Sequence, residues 1–562
     1  MSKKQSEQEP LILEYNLFDL PTAQHKAGLA GLLVMVESMK SRGLTAFPAV
    51  TAITDRSATI SFTKQSFQAL FDDLYDATVL EVDSRKKWAN QQPKRTYEVE
   101  IVDLKGNQKK EIRYVYDVTR PNGAFLEALY PDHDGLWLNL WRDMVWDSLR
   151  GIPKTRLVYT ERLTKQSSAQ GIDLWKSLQQ ATTLRKKGEI KTQGIASSIY
   201  IGGQDINAEK VSFRGRIEQN LLLHFWTIVT CVFVPRFYSR DGTASQSGYV
   251  LAIPEPSDLS SFVEDVTALL RSLQTEKSGG RPRTALIDLP EEGGLEYLYH
   301  LSRHRVQRTE VGYSLAALEL YHLEKQGNNI RALQSSRILP DSRLVALYEP
   351  LRRICRNPFF KSQRLRNLLT GNTWHNGFTV VFGPYPWEFF VHRDGETPST
   401  FPFFGWDVKR TFSSIERDLK SIGGDKPMTE KDLDDALAVR IYDLIRWYVN
   451  QRTQDKSGLK YSDFKDKTDE KGRVVYPERY REARQKVCSD AFLAMRSRRE
   501  KDFIEYFIGT ICSVPQFLPR TEYLAVSNAL INDWSRVKDL SMLALSAESY
   551  IGESQTGKGE DE

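Results

Sequence analysis

The residues most able to do metal chemistry in this sequence are the consecutive Asp132, His133 and Asp134. A His-Asp pair is typical of metal-dependent phosphohydrolases, but such a centre needs further His and Asp ligands, and the eight histidines are spread thinly. A polar loop after Pro131 is the competing interpretation. No G-x-S-x-G, H-E-x-x-H or paired Cys/His spacing occurs. The sequence therefore predicts no cofactor and offers no positive argument for an enzyme.

Phosphate recognition is indicated by an arginine-rich segment from His300 to Thr370. It holds 13 Lys and Arg against 5 Asp and Glu, and Arg outnumbers Lys by 11 to 2. Because the guanidinium fork matches phosphate oxygens bidentately, this composition favours phosphate binding over solubility alone. A solvated basic face is the alternative. The arginines are Arg303, Arg305, Arg308, Arg331, Arg337, Arg343, Arg352, Arg353, Arg356, Arg364 and Arg366.

Two loops carry residue types that suit contact with a nucleic acid. Gly202 and Gly203 allow close backbone approach to a ligand, and the following Gln204 and Asn207 could address base edges. An ordinary turn is the alternative. The second loop, from Lys86 to Arg95, is basic and amide-rich and contains Trp88.

The elements that position these residues are mixed in the first part of the chain. Capping and stop signals predict a helix from Thr22 to Arg42, and alternation predicts a hairpin of Tyr97–Ile101 with Ile112–Val118. A further helix is predicted from Leu136 to Leu149. Ser198–Ile201 is predicted to be a strand, and the apolar run Leu221–Val234 a buried helix, too short to cross a bilayer.

The second part of the chain is predicted to be mainly helical. Leucines at three- and four-residue steps predict amphipathic helices through the arginine-rich segment, and the aromatics of 359–406 are expected in the core. Composition shifts near Gly423-Gly424. Beyond it, Thr429 is a helix cap, and an all-helical bundle follows with a polar loop from Gln451 to Arg473.

The fold class predicted is therefore α+β, a large mixed N-terminal region followed by an all-α C-terminal helical bundle. The predicted boundaries are 1–425 for the mixed region, 428–551 for the bundle and 552–562 for a disordered acidic tail. The chain has 562 residues, a net charge of +5 and four scattered cysteines. These features predict a soluble, cytoplasmic protein with reduced cysteines.

Two blocks of the sequence resemble the large subunit of type I CRISPR effector complexes (Cascade), in a branch of subtype I-B. The first is Leu20-Pro21-Thr22-Ala23-Gln24-His25-Lys26-Ala27-Gly28-Leu29-Ala30-Gly31-Leu32. The second runs from Tyr200-Ile201-Gly202-Gly203-Gln204 through Asn207-Ala208-Glu209-Lys210 to Asn220-Leu221-Leu222-Leu223-His224-Phe225-Trp226.

The resemblance implies a non-catalytic subunit that contacts the 5′ end of the CRISPR RNA, reads a protospacer-adjacent motif in double-stranded DNA and stabilises the opened target. Implied partners are the CRISPR RNA, the target DNA, and the Cascade backbone and guide-end-capping subunits. A helicase-nuclease or a transposition adaptor is a further partner, and no membrane is involved. The C-terminal bundle resembles the separate small subunit, which an internal start at Met428 could supply.

Residue roles follow from this resemblance together with residue type. DNA contacts are expected at Lys86, Lys87, Asn90, Arg95, Gly202, Gly203, Gln204, Asn207, Arg352, Arg353, Arg356, Arg364 and Arg366. RNA contacts are expected at Arg303, Arg305 and Arg308, and contacts to the displaced strand at Arg481, Arg484, Arg496 and Arg499. The alternatives are a metal-dependent nuclease that uses Asp132, His133 and Asp134, and a structural RNA-binding scaffold with no DNA role.

Overall fold

The structure is a computed structural model that describes residues 9–89, 91–102, 108–131, 135–203, 213–307, 313–327, 329–392, 401–421, 428–469, 474–514 and 519–551. The chain divides into two units. Unit 1 comprises residues 1–236 and 246–345, and unit 2 comprises residues 237–245 and 346–562. The sequence boundary at 425–428 lies inside unit 2.

Unit 1 mixes strands and helices. Its first elements are β1 (Leu11–Asn16), α1 (Ala23–Ser41), β2 (Ala49–Ile53), β3 (Ser57–Phe62), α2 (Lys64–Leu74), β4 (Ala77–Ser84), β5 (Arg95–Val102) and β6 (Gln108–Pro121). Then come α3 (Ala124–Glu127), α4 (Leu136–Met144), α5 (Leu157–Leu163), α6 (Ala169–Arg185), β7 (Thr192–Gly194), β8 (Arg214–Arg216) and α7 (Ile217–Leu222).

The next elements are β9 (Cys231–Tyr238), β10 (Ala244–Gln246), β11 (Tyr249–Pro256), α8 (Leu259–Arg271), β12 (Lys277–Ser278), β13 (Arg281–Pro282), β14 (Leu286–Ile287), α9 (Glu292–Gln307), β15 (Leu315–Gln326) and β16 (Asn329–Ile338). From there the described elements are helical: α10 (Ser342–Ile354), α11 (Pro358–Thr370), α12 (Phe378–Phe382), α13 (Phe404–Ser421), α14 (Glu430–Ser457), α15 (Glu478–Ser497), α16 (Glu500–Tyr506), α17 (Arg520–Asn532) and α18 (Trp534–Ser549).

Among the residues that the structure describes, the strands form three sheets and two short ribbons. The largest sheet has the order β10-β9-β11-β15-β16, with β14 parallel to β9, and two three-stranded sheets have the orders β1-β3-β2 and β4-β6-β5. The ribbons are β7–β8 and β12–β13. Sheets in the N-terminal region with helices dominating the C-terminal region confirm the predicted α+β class.

Several predicted elements are confirmed because their signals are local. The Thr22 side chain accepts the backbone N–H of His25 at the start of α1, and Gly43 follows the helix with a φ of +73°. Strands β5 and β6 pair antiparallel as the alternation predicts, with Tyr97 opposite Arg113. Thr429 caps α14, where it forms a capping box with Asp432.

Four predictions about the elements are wrong. The run Leu221–Val234 is not one helix, because α7 ends at Leu222 and β9 begins at Cys231. The apolar residues of β9 pair with β11 on one side and β14 on the other, and a strand buried in this way is hard to tell from a helix by sequence. Ser198–Ile201 forms a turn rather than a strand.

The arginine-rich segment is the third error. It is not helical throughout, because β15 and β16 form an antiparallel hairpin that places Arg331 and Arg337 on a strand. The fourth error concerns the expected loop of 451–473, because α14 continues into it as far as Ser457 before Gly458 ends the helix with a φ of +72°.

The cores are aromatic and aliphatic, as expected. In unit 2 the buried rings include Phe360, Phe378, Phe390 and Phe404, which confirms the core assignment for these four aromatics, whereas Trp406 is 38% exposed. Three cysteines are buried and Cys512 is partly buried, all of them free. Among the described residues, no helix is both long and apolar enough to span a bilayer.

Candidate nucleic-acid interface

The two sequence blocks that carry the family resemblance lie in contact in unit 1. Helix α1 is almost entirely buried. Its glycines allow close packing against α7 and against the residues that follow α7. A Cβ atom built on Gly28 would lie 2.1 Å from the Leu222 carbonyl oxygen, and one on Gly31 would lie 2.1 Å from the Phe225 carbonyl oxygen. Only glycine fits at these two positions, since such distances are far below van der Waals contact.

Gln24 on α1 forms two hydrogen bonds to the backbone of Ile201, the residue just before Gly202 and Gly203. Its Nε2 donates to the Ile201 carbonyl oxygen at 3.1 Å, and the Ile201 N–H donates to its Oε1 at 2.9 Å. The indole Nε1 of Trp226 donates to the Ile199 carbonyl oxygen at 2.8 Å. The backbone that leads into Gly202 is therefore fixed by buried side chains.

Gly202 and Gly203 follow this anchored turn. Gly202 is exposed with a φ of +86°, a conformation that favours glycine, and nothing lies within 4 Å of its Cβ position. Gln204 and Asn207 lie outside the described residues. The chain is described again at Phe213, whose carbonyl oxygen accepts the Ile195 N–H at 2.8 Å.

Two arginines that the sequence analysis missed stand at the far end of this segment. Arg214 and Arg216 are exposed on β8, and Arg214 Nη2 donates to the Thr192 carbonyl oxygen at 3.0 Å. The signal that could have identified them is the Arg-Gly-Arg pattern shortly after the Gly-Gly segment. The segment 202–213 thus begins at a buried clamp and ends on an exposed basic ribbon.

The basic loop after β4 is built on a stacked ring pair. Trp88 stacks on Tyr116 with ring centroids 4.0 Å apart and an interplanar angle of 6°, and its backbone N–H donates to the Tyr116 hydroxyl at 2.7 Å. Lys86 and Lys87 are exposed and form no ion pair with a described residue. Asn90 lies outside the described residues.

Arg95, at the end of the same loop, is neutralised locally. Its Nη2 lies 2.8 Å from Glu81 Oε2, and Lys94 lies 2.9 Å from the other oxygen of the same carboxylate. These two cations hold the pKa of Glu81 below its usual value. The lysines at 86 and 87, rather than Arg95, therefore carry the uncompensated charge of this loop.

The arginine-rich segment is divided between the units, and its members differ in burial. In unit 1, Arg303 is exposed beside the Tyr299 ring, with 5.7 Å from its guanidinium carbon to the ring centroid. Arg305 is buried, and its Nη1 lies 2.5 Å from Asp265 Oδ2. Arg308 lies outside the described residues.

In unit 2, Arg353, Arg356 and Arg366 are exposed on or beside α10 and α11, and Arg352 is half-buried. Arg364 instead lies against aromatic rings, with its guanidinium carbon 5.3 Å from the Trp374 ring centroid and 5.6 Å from that of Phe360. Burial lowers the pKa of Arg364.

The arginines assigned to the displaced strand also differ in their surroundings. Arg484 is buried and pairs with the Glu548 carboxylate. Arg496 Nη2 donates to the carbonyl oxygens of Gly383 at 2.6 Å and Tyr385 at 2.8 Å. Arg481 is half-buried, whereas Arg499 is exposed at the start of α16.

No metal centre is present in the part of the chain that the structure describes, where no group of three or more His, Cys, Asp or Glu is placed to hold an ion. Asp132, His133 and Asp134 lie outside that part. The candidate functional residues that the structure describes are thus exposed lysines and arginines and the glycines of the Gly-Gly segment. This combination is typical of a nucleic-acid-binding protein.

Comparison with known families defines this class further. The family described as the type I-B CRISPR Cas8b N-terminal domain matches residues 47–313, and the type I-B CRISPR Cas8b C-terminal domain matches residues 315–548. The chain therefore belongs to the Cas8b family, the large subunits of type I-B CRISPR complexes. None of the curated proteins matches the chain.

Family membership confirms the class that the two sequence blocks indicated. It implies that the chain works in a Cascade complex with CRISPR RNA and other subunits. Large subunits of this kind are generally non-catalytic components of that complex.

Proposed function

We propose that this large subunit reads a protospacer-adjacent motif in double-stranded DNA through the segment 202–213, contacts the 5′ end of the CRISPR RNA and stabilises the opened target. The observation that carries the proposal is the two-sided clamp of Gln24 on Ile201. A buried clamp holds the start of an exposed glycine segment in one position, and base reading needs such preorganisation because each contact depends on register.

The remaining contacts are proposed from exposure and charge. Duplex phosphates beside the motif would be bound by Lys86, Lys87, Arg214 and Arg216. Phosphates elsewhere along the nucleic acid would be bound by Arg353, Arg356 and Arg366. Arg303 would contact RNA, and Arg499 the displaced strand. Arg305, Arg364 and Arg484 already have contacts inside the fold, so we propose that they support these surfaces rather than bind phosphate.

The test is motif-specific binding by the complex reconstituted with its guide RNA and partner subunits. A library of target duplexes with a randomised flank identifies the motif first. Gln204→Ala should then cost about 1–3 kcal/mol of binding on the correct motif and little on a scrambled one. Gly203→Val should block close approach, and Gln24→Ala should weaken the same discrimination because it releases Ile201.

Gln219→Ala is the matched control for Gln24→Ala. Its Nε2 donates to the Asp19 carbonyl oxygen at 2.8 Å rather than to Ile201 or the Gly-Gly residues, so motif discrimination should persist. Equal losses on the correct and the scrambled duplex for Gln204→Ala would contradict the proposal, because they would show that the segment supports the fold instead of reading bases.

A further inference from the structure

A cavity of about 550 Å³ lies within unit 2, bounded by α13, α14, α15, α18 and the turn at Tyr461. This volume falls within the range of about 300–1,000 Å³ that is typical of pockets for small ligands. Of the residues assigned above, only Arg484 lines it. The lining combines aromatic rings, side-chain amides and cations, and each group limits what the cavity can bind.

One wall is a series of tyrosine rings. Tyr461 and Tyr476 have ring centroids 6.2 Å apart, and Tyr476 and Tyr480 have centroids 6.1 Å apart. Phe464 packs behind them, 4.8 Å from the Tyr480 ring. Tyr461 is 49% exposed and Tyr480 is buried, so the series runs from solvent inwards. Such rings offer stacking surfaces to a planar base.

The floor is an ion-paired cluster whose groups already have partners. Arg484 pairs with the Glu548 carboxylate, donates from Nε to the Glu548 carbonyl oxygen at 2.8 Å and donates from Nη1 to Asn450 Oδ1 at 2.6 Å. The Tyr442 hydroxyl also donates to Glu548. Because the charges cancel here, the floor defines the shape of the cavity and does not attract an anion.

Amides on α14 supply hydrogen-bonding capacity above this floor. Asn450, Gln451 and Gln454 all line the cavity. Gln451 donates to Asp455, whereas the Gln454 side chain and the Asn450 Nδ2 have no hydrogen-bond partner within the described ranges. An amide offers one donor and one acceptor side by side, which matches the edge of a nucleobase. A purely apolar ligand would leave these groups unpaired.

Cations complete the lining. Lys409 is exposed, and Arg446 donates to Asp443 at 2.8 Å while its guanidinium carbon lies 5.6 Å from the Tyr442 ring centroid. Arg484 is balanced by Glu548, and Arg446 is balanced by Asp443, which lies outside the lining, so Lys409 supplies the uncompensated positive charge of the lining. The cavity thus pairs a positive region with stacking rings and amides.

We propose that this cavity binds one unstacked nucleotide, with its base against the tyrosine wall and the α14 amides and its phosphate at Lys409 and Arg446. The inference rests on the proposed function, because the displaced DNA strand would supply the nucleotide. A free mononucleotide has the same chemistry, and the experiment distinguishes the two sources.

The test is fluorescence anisotropy of the full chain with a labelled single-stranded DNA of about 12 nucleotides, within the usual site sizes for single strands. Tyr461→Ala should weaken binding about tenfold, and Tyr461→Phe should retain it because the ring remains. Gln454→Leu should also weaken binding. Tyr523→Ala is the matched control: Tyr523 is 59% exposed on α17, outside the cavity lining, and its loss should change nothing.

Competition identifies the source of the nucleotide. If unlabelled oligonucleotide displaces the probe and dAMP does not, the ligand is the DNA strand. If dAMP displaces the probe and its affinity falls with Tyr461→Ala, the ligand is a free nucleotide. Wild-type binding by both Tyr461→Ala and Gln454→Leu would overturn the proposal.

The nucleotide-binding inference and the proposed motif-reading function can fail separately, and each failure gives a different result. If Tyr461→Ala and Gln454→Leu bind the oligonucleotide normally while the assembled complex discriminates its motif, the cavity inference fails and the function stands. If these variants lose the oligonucleotide but the assembled complex shows no motif preference, the cavity stands and the function fails.

Discussion

At the scale of single residues, the arginines between 300 and 370 differ in what their guanidinium groups contact. Arg305 is paired with Asp265 in the interior, and Arg364 lies against Trp374. Arg353, Arg356 and Arg366 remain exposed. An exposed cation can neutralise a phosphate without breaking an internal contact, whereas removing a buried ion-pair partner leaves an uncompensated charge.

This difference leads to a prediction about salt dependence. Replacing Arg353, Arg356 and Arg366 by Ala in the assembled complex should flatten the slope of log affinity against log salt by about 0.9 for each duplex phosphate that is no longer neutralised. Arg417→Ala, which removes an exposed arginine on α13, is the control and should leave the slope as it is. Dissociation constants at several salt concentrations give the slopes; identical slopes would show that these arginines are only a solvated face.

A second residue-scale prediction concerns His224. Burial among aromatic rings, with the positive charge of Arg150 nearby, lowers the pKa of His224 from 6.5 to about 3. The folded state therefore keeps this imidazole neutral where the unfolded chain binds a proton, so stability falls as pH decreases below 6.5. Between pH 7 and pH 5 this histidine should remove about 2 kcal/mol of stability.

His224→Gln should reduce the pH dependence of unfolding over that interval, whatever its effect on stability at pH 7. Denaturant unfolding of wild type and variant at pH 7, 6 and 5 measures it, and contributions from other groups are common to both proteins. Parallel stability curves for the two proteins would contradict the assignment.

At the scale of elements, the packing of α1 against α7 depends on a glycine. A Cβ on Gly28 would lie 2.1 Å from the Leu222 carbonyl oxygen, so Gly28→Ala must push the helices apart. We expect a loss of about 3 kcal/mol in the free energy of unfolding. Motif binding should also weaken, because α1 carries Gln24.

Gly280→Ala is the matched control for this prediction. Nothing lies within 4 Å of the Cβ position at Gly280, and its φ is not in the left-handed region. Denaturant unfolding should show near-wild-type stability for Gly280→Ala. Equal stability of the Gly28 and Gly280 variants would mean that α1 tolerates displacement from α7.

At the scale of the whole molecule, the helices on both sides of Met428 belong to one packed unit. Phe412 on α13 stacks on Tyr442 of α14 with ring centroids 4.4 Å apart, and Phe382 on α12 contacts Phe492 of α15 with ring centroids 5.2 Å apart. A separate product that begins at Met428 would leave these faces uncovered. We therefore expect such a product to be found bound to the complex rather than alone.

The internal start is testable. A product that begins at Met428 would have 135 residues, which is close to a common domain size. A C-terminal tag should therefore reveal a second band of about 15 kDa. Met428→Leu should abolish this band without harming the fold, because Met428 is 44% exposed and precedes the Thr429 capping box. Met495→Leu is the control that should keep it. Absence of the second band in the native host would contradict internal initiation at Met428.

Features that depend on neighbouring residues could be predicted from the amino-acid sequence. The bounds of α1 follow from Thr22 and Gly43, the β5–β6 pairing from alternation, and the start of α14 from Thr429. Two short blocks also sufficed to indicate the family. These signals are local, because a cap, a turn or an alternating pattern acts within a few residues of itself.

The burial of polar residues and the pairing of apolar runs depend instead on tertiary contacts. Arg305 is buried because Asp265 lies beside it, and Arg484 because Glu548 does; both partners are distant in the sequence. Cys231–Tyr238 is a strand because β11 and β14 flank it. Contacts between residues far apart along the chain leave no local pattern, so the burial of these two arginines and the pairing of β9 become visible only in the folded molecule.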